Sequence, residues 1–243
     1  MPLPDRDFDP TETAVPWRML TRERHEIVFA TESGGAAPAG DALLLDGKLG
    51  SLGPAAEPRA FYDEMAASRE FKAPIAWSAI DPTSFDGLIL PGGHAPGMRQ
   101  YLGSSLLQEK VCAFWRTGRP VGAICHGVLV LARTRDPATG DSVLADVRTT
   151  CLPGYMERVA YYLTGWKLGR YYRTYDAYVE EEVRAALRDP ERQFVRGSVT
   201  LFSRGTDTDH RAAMVVEDGR YLSARWPGDA YLISQKLLEK LAG

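Results

Sequence analysis

Short apolar runs recur along this chain, separated by longer stretches whose apolar positions fall at helical spacing. Glu26-Ile27-Val28-Phe29-Ala30-Thr31 is β-branched and aromatic and stops at Ser33-Gly34-Gly35, which reads as a strand running into a turn. Phe85-Asp86-Gly87-Leu88-Ile89-Leu90, ended by Pro91-Gly92-Gly93, reads as a buried strand. Pro120-Val121-Gly122-Ala123-Ile124 is another, and it runs straight into Cys125-His126-Gly127 and then a helical stretch, Val128 to Arg133. Between these strands, residues 104–116 carry apolar positions at helical spacing behind Ser104 or Ser105 as N-cap. A strand–helix–strand order of this kind predicts parallel, adjacent strands joined by a right-handed crossover.

The flanking segments extend the pattern. Residues 36–59, rich in Ala, Gly and Pro, read as an irregular crossing with a short apolar piece at Leu43 to Leu45. Phe61 to Arg69 reads as a helix that Pro74 stops from continuing. Beyond residue 140, Val143 to Thr150 is expected as an edge strand, Met156 to Leu163 as an amphipathic helix and Val179 to Leu187 as another helix. Arg211 to Val216 and Tyr221 to Ala224 are expected as strands joined at Asp218-Gly219, a hairpin signal, and Asp229 to Leu241 as a closing helix. The alternation predicts an α/β fold, flavodoxin-like and doubly wound, with helices on both faces of a mostly parallel sheet. No internal repeat, low-complexity tract or linker divides it, so one domain over residues 1–243 is expected, with a helical insertion around 155–196.

Composition narrows the partners. A formal net charge of -3 argues against nucleic acid or an anionic membrane as the main partner. No apolar run approaches the ~20 residues that span a bilayer, and the opening MPLPDRDFDPTE is too acidic and polar for a signal peptide. A cytosolic location is expected. Cys112, Cys125 and Cys151 are odd in number and lack a CxxC, so free thiols are expected rather than disulfides. His25, His94, His126 and His210 lie far apart without an HxxxH pair, so neither a metal nor another cofactor is called for.

The segment VGAICHGV carries the chemistry. A nucleophile elbow holds a reactive side chain on a sharp strand-to-helix turn, above the sheet, where small neighbours avoid clashes. Cys125 is the candidate nucleophile, and Gly127 supplies the small side chain. Facing the positive end of the following helix, the thiol is expected to ionise below its ordinary value of ~8.5. The alternative is a buried cysteine acting as a small hydrophobe; Cys112, mid-helix in VCAFW, reads that way. Gly92 and Gly93 end the neighbouring strand, where backbone N–H groups are free to turn toward an oxyanion, with the amide after Cys125, that of His126, as a second donor.

LILPGGHAPGMRQYL followed by VGAICHGVLVLA resembles the DJ-1/PfpI group of the class I glutamine-amidotransferase-like superfamily. DFDPTETAVPW resembles that group's first loop, with Glu12 four residues before Pro16, and LSARWPGDAYLISQKLL resembles its last strand, turn and helix. The Cys-His pair and the insertion resemble the Hsp31-like branch. The resemblance implies Cys125 as nucleophile, His126 as the adjacent imidazole, Glu12 as a protonated hydrogen-bond donor to the sulfur, and Glu157 in CLPGYME as the acid completing a triad. The alternative for Glu12 is a helix-capping acid, which the recognisable context of its loop makes the lesser reading, and for Glu157 a solvated acid in a first helical turn. Two departures stand out. Only Met1 to Pro4 precedes the Glu12 loop, so the first strand is nearly absent or begins upstream of this sequence. Cys151 stands near the site where DJ-1 has histidine, as a second thiol or as core.

The leading expectation is a cysteine-dependent enzyme acting on small reactive carbonyls, glyoxalase III-like (methylglyoxal to D-lactate) or a related deglycase. An amide hydrolase shares the nucleophile and the proton shuttle. A stress-responsive holdase or thiol redox sensor is the alternative of a different class, its apolar patch supplied by the aromatic stretch from Tyr155 to Tyr178. The resemblance also implies a homodimer and allows unfolded or glycated proteins as partners.

Overall fold

The computed structural model describes residues 1–47, 49–200 and 202–243. The chain begins extended: Pro2 bridges Ala30 in parallel, Leu3 N–H donates to Ala30 O at 2.8 Å and Ala30 N–H to Met1 O at 3.1 Å. The residues before β1 therefore meet Ala30 through an isolated parallel bridge. Next, β1 (Arg6–Phe8) leads to Asp9, whose carboxylate accepts from the N–H of Thr11 at 2.8 Å and of Glu12 at 3.1 Å and starts α1 (Pro10–Arg22). Pro10 lacks an amide where the helix has no use for one. Glu12 thus lies in the first turn of α1, fully buried.

The short strands β2 (Ala30–Thr31) and β3 (Ala39–Gly40) follow, β3 pairing in parallel with β1. Then come α2 (Ala42–Leu45), α3 (Ala56–Ala67), α4 (Arg69–Lys72) and β4 (Ile75–Ala76), which pairs in parallel with β2. The helix expected from Phe61 starts earlier and breaks at Ser68, whose hydroxyl caps α4 by accepting from Phe71 N–H at 3.3 Å.

The centre of the molecule is built from β5 (Leu88–Leu90), α5 (Met98–Leu102), α6 (Ser105–Trp115), β6 (Val121–Ile124) and α7 (Val128–Arg133). Ser104 caps α6 by accepting from Leu107 N–H at 3.1 Å. β5 and β6 run parallel with Leu90 opposite Ala123, as the crossover rule demands. The chain continues through α8 (Gly154–Leu168), α9 (Val179–Ala185) and α10 (Pro190–Gln193) to the hairpin of β7 (Val215–Asp218) and β8 (Tyr221–Ala224), and closes in α11 (Ala230–Ala242). The hairpin turns at Gly219, where φ is +57°.

The largest sheet runs β5-β6-β8-β7, parallel except for the antiparallel edge strand β7. Every residue of β6 and β8 is buried, the mark of strands covered on both faces. α11 packs against β6, β8 and α1 on one side, while α6 packs against α7 and α7 against α9. This is a flavodoxin-like α/β fold. The edge strand expected at Val143 to Thr150 is instead a run of turns: Ala145 N–H donates to Ser142 O and Val147 N–H to Leu144 O, and β7 takes the edge. No helix among the described residues is long and apolar enough to cross a membrane.

Candidate active site

Because β5, β6 and β8 are parallel, their carboxyl ends share one edge of the sheet, and the loops leaving them meet there. β5 delivers Gly92 to His94, β6 delivers Cys125 and His126, and β8 delivers Trp226. The loop between β1 and α1 joins them, tied down by Asp9 N–H donating to Gly92 O at 2.8 Å. Asp9, Glu12, His94 and Cys125 line a cavity of about 90 Å³, closed by Leu152, Met156, Tyr172, Arg204 and Trp226 among others. A larger hollow of about 440 Å³, lined by Met1, Phe85, Asp86 and Lys110 among others, lies at the opposite strand ends and has no cysteine among its lining residues.

Cys125 has φ +58°, the left-handed region that costs a side-chain-bearing residue of order 1 kcal/mol or more. That turn redirects the chain from β6 into α7 in a single residue. Two glycines make room for it. A methyl group on Gly127 would penetrate the Leu90 carbonyl oxygen and lie 2.7 Å from Pro91 O. One on Gly92 would lie 2.7 Å from His126 N, 2.8 Å from Glu12 Oε2 and 2.9 Å from Cys125 Cβ. Gly92 is therefore the point where the glutamate and the cysteine approach each other.

Cys125 Sγ lies 3.4 Å from His126 Nδ1, and both residues are 1% exposed. Glu12 Oε2 accepts from Gly92 N–H at 2.8 Å, while its Oε1 is buried without a hydrogen-bonding partner. Burial, then the charge of Asp9, pushes the Glu12 carboxyl well above the usual range, against the pull of Gly92 N–H. Burial also lifts Asp9 to about 6. Burial first, then the charges of Glu12 and Asp9, drives the Cys125 thiol up, with His126 N–H opposing. His126 is pushed well below its ordinary value by burial, His94 and Arg133, and His94 is lowered by burial to about 4. Near neutrality the resting site therefore holds a thiol and two neutral imidazoles, beside a glutamate whose protonated form burial favours.

Two expectations change. The thiol is pushed up rather than down, because burial and then the charges of Glu12 and Asp9 act on the sulfur directly. Gly92 N–H is not free for an oxyanion, since Glu12 already takes it. His126 N–H bonds toward Cys125, on the cavity side of the elbow.

The structure gathers Cys125, His126, Glu12, Gly92 and Gly93 in one place and gives Glu157 other partners. Glu157 Oε2 accepts from Val179 N–H at 3.0 Å and Oε1 lies 3.9 Å from Arg173 Nη1, so it ties α8 to the start of α9. Burial lifts it to about 7. Among the described residues no hydrogen bond joins Glu157 to His126. Cys151 is wholly buried in the core with Sγ 3.6 Å from Leu152 O.

Sequence reasoning missed His94. Its ring centroid lies 4.6 Å from that of His126 and 6.1 Å from that of Tyr172. The signal was present: His94 follows Gly92-Gly93 at the end of a strand parallel and adjacent to β6, so its loop faces the elbow. Tyr172 and Arg204 gave no such signal, since they arrive from distant loops, whereas Trp226 follows β8 just as His94 follows β5.

A parallel α/β sheet with a cysteine on a strained turn and a buried glutamate against it defines a cysteine-elbow protein of the class I glutamine-amidotransferase-like fold. Residues 3–198 match the family model described as ThiJ/PfpI family-like, and the chain belongs to that DJ-1/PfpI family. It is 27% identical to an uncharacterized protein of Schizosaccharomyces pombe over 99% of this chain and 82% of that one. It is likewise 27% identical to the deglycase PH1704 of Pyrococcus horikoshii, over 53% of this chain and 61% of that one. Among solved structures, glyoxalase III of Candida albicans superposes with a TM-score of 0.71 at 18% identity, covering 96% of this chain and 88% of that one.

Proposed function

We propose that the chain is a cysteine-dependent enzyme acting on small reactive carbonyls, converting a 2-oxoaldehyde such as methylglyoxal to the 2-hydroxy acid, D-lactate. The observation that carries this reading is the convergence of Cys125 and the buried Glu12 on one small cavity, with His126 Nδ1 3.4 Å behind the sulfur. Cys125 Sγ adds to the aldehyde carbon as its proton passes to His126 Nδ1, and Glu12 gives its proton to the new alkoxide, completing the hemithioacetal. The carboxylate of Glu12 then takes the proton from the former aldehyde carbon and returns it to the neighbouring carbon, while the hydroxyl proton moves to the former ketone oxygen through His126, leaving a thioester of the hydroxy acid. Glu12 regains its proton from the imidazolium. Water cleaves the thioester and restores the thiol. The aldehyde carbon is oxidised and the ketone carbon reduced, so methylglyoxal plus water yields lactate without an external oxidant.

The neutral resting state suits this sequence. A thiol beside a neutral imidazole ionises when substrate arrives, and a protonated glutamate has a proton to give. The amides of Gly93 and His126 are the donors assigned to the developing oxyanion. Glu157 is assigned a positioning role through α9. A cavity of about 90 Å³ fits a substrate of a few heavy atoms rather than a polypeptide side chain. The glyoxalase III and deglycase relatives support the same chemistry. The test is D-lactate formation from methylglyoxal by wild type and Cys125→Ala: turnover by the first and none by the second is expected, and no turnover by wild type overturns the reading.

One observation favours a second activity. Tyr162, Leu163 and Trp166 on α8 are 74%, 50% and 83% exposed, an apolar face of the kind a holdase uses. Suppression of client aggregation that persists in Cys125→Ala would mark it as separate from the carbonyl chemistry.

A further inference from the structure

We propose that His94, Cys125 and His126 form a three-ligand site for a thiophilic divalent cation, with Zn²⁺ the best fit, whose occupancy takes the nucleophile out of use. One ligand atom from each residue lies within 4.8 Å of the other two. The Cys125 Sγ to His126 Nδ1 separation is 3.4 Å. Tetrahedral zinc, with bonds of about 2.3 Å to sulfur and about 2.1 Å to nitrogen, places an S and an N ligand about 3.5 Å apart. Two of the three donors therefore already stand at a zinc spacing. The third, His94, is half-buried on the loop after β5 with its ring centroid 4.6 Å from that of His126.

The donor chemistry selects the metal. One thiolate and two imidazoles suit Zn²⁺, whereas Mg²⁺ and Ca²⁺ prefer oxygen ligands. Three protein ligands leave a fourth position, which faces the cavity and is open to water or an incoming ligand. Glu12, whose protonated form burial favours and whose Oε2 accepts from Gly92 N–H, lines the same cavity, so its Oε1–H is the adjacent donor to a group bound there. Binding replaces a proton with the metal: Cys125 S–H gives S–Zn and releases one H⁺, while the two imidazoles each supply a ring-nitrogen lone pair and lose nothing. With its lone pair on zinc, the sulfur no longer adds to a carbonyl. His25 and His210 lie outside this cluster.

The proposal shares the site of the carbonyl reaction but rests on the placement of three donors, so its test reads binding rather than turnover. The full-length, tag-free chain is titrated with Co²⁺ as spectroscopic probe and with Zn²⁺ by calorimetry in buffers of different ionisation heat. Expected are one metal per chain, a thiolate-to-cobalt charge-transfer band, the strong visible bands of four-coordinate cobalt and release of about one proton. Cys125→Ser abolishes the charge-transfer band. His94→Ala, or His94→Gln should the first unfold, weakens affinity by about tenfold or more, a loss of about 1.4 kcal/mol. His25→Ala and His210→Ala leave it unchanged. Absence of the charge-transfer band, or equal affinity in a folded His94 variant, overturns the proposal. A chain that turns over no carbonyl but shows the cobalt spectrum refutes the enzymatic reading alone, and one that turns over but binds no cobalt refutes this one alone.

Discussion

Cys125 and Glu12 meet across a glycine, and each holds the other's proton in place. A carboxylate formed next to the sulfur opposes its ionisation, and burial raises both groups further. This coupling separates two roles that glutamate plays. In Glu12→Gln no carboxylate ever forms beside the sulfur, so the Cys125 thiol is expected to ionise at lower pH than in wild type, seen as faster alkylation by iodoacetamide at a given pH. The amide still fills the space and accepts from Gly92 N–H, but it relays no proton. Carbonyl turnover is expected to fall by about 10²-fold or more although the sulfur is more reactive. A variant that alkylates faster and also turns over faster would remove Glu12 from the proton path.

At the scale of elements, the turn between β6 and α7 depends on how closely β5 approaches it. Gly127→Ala is expected to destabilise the chain by about 3 kcal/mol, because the new methyl meets backbone oxygens of Leu90 and Pro91 that have no freedom to withdraw. Gly122→Ala, on the strand just before, is the control: there a methyl finds only Ile233 and Leu237 side chains at 3.8 Å, ordinary contact, and little change in Tm is expected. Equal losses in the two variants would show that the approach to β5 is not what demands Gly127. The turn itself was legible in the sequence, since an unbroken apolar strand ending in Cys-His-Gly leaves few other conformations, and Val128 to Arg133 is helical as read. Features that depend on distant partners were not. Nothing local in Gly92-Gly93 says that Glu12, 80 residues away, takes the Gly92 amide. Val143 and Val147 suggest a strand by their branching, yet hydrogen bonds to Ser142 and Leu144 fold the segment into turns. The direction of the Cys125 shift required knowing that two carboxyls lie beside the sulfur. Histidines scattered in sequence concealed the contact between His94 and His126, which only the pairing of β5 with β6 creates.

Across the whole molecule, buried titratable groups pull stability in opposite directions with pH. Asp9, raised from 3.8 to about 6, and Glu157, raised from 4.5 to about 7, bind protons more tightly when folded. Their neutral forms support folding fully below those unfolded values, and the support is lost as pH rises through 6 to 7. His94, lowered from 6.5 to about 4, acts in reverse: its support is full above 6.5 and lost as pH falls through 4. His126, pushed down by the same burial, acts in the same sense. The opposing slopes level the stability curve in the mildly acidic range, and removing one of them exposes the other. Glu157→Gln removes a descending slope while an amide oxygen remains to accept from Val179 N–H. Relative to wild type, the variant is expected to gain stability as pH rises from about 5 to about 8, by up to about 3 kcal/mol, measured as the difference in chemical denaturation free energy at each pH. A difference that stays constant over that range would mean that Glu157 titrates alike in the folded and unfolded chain, and that the α8–α9 junction tolerates its charge without cost.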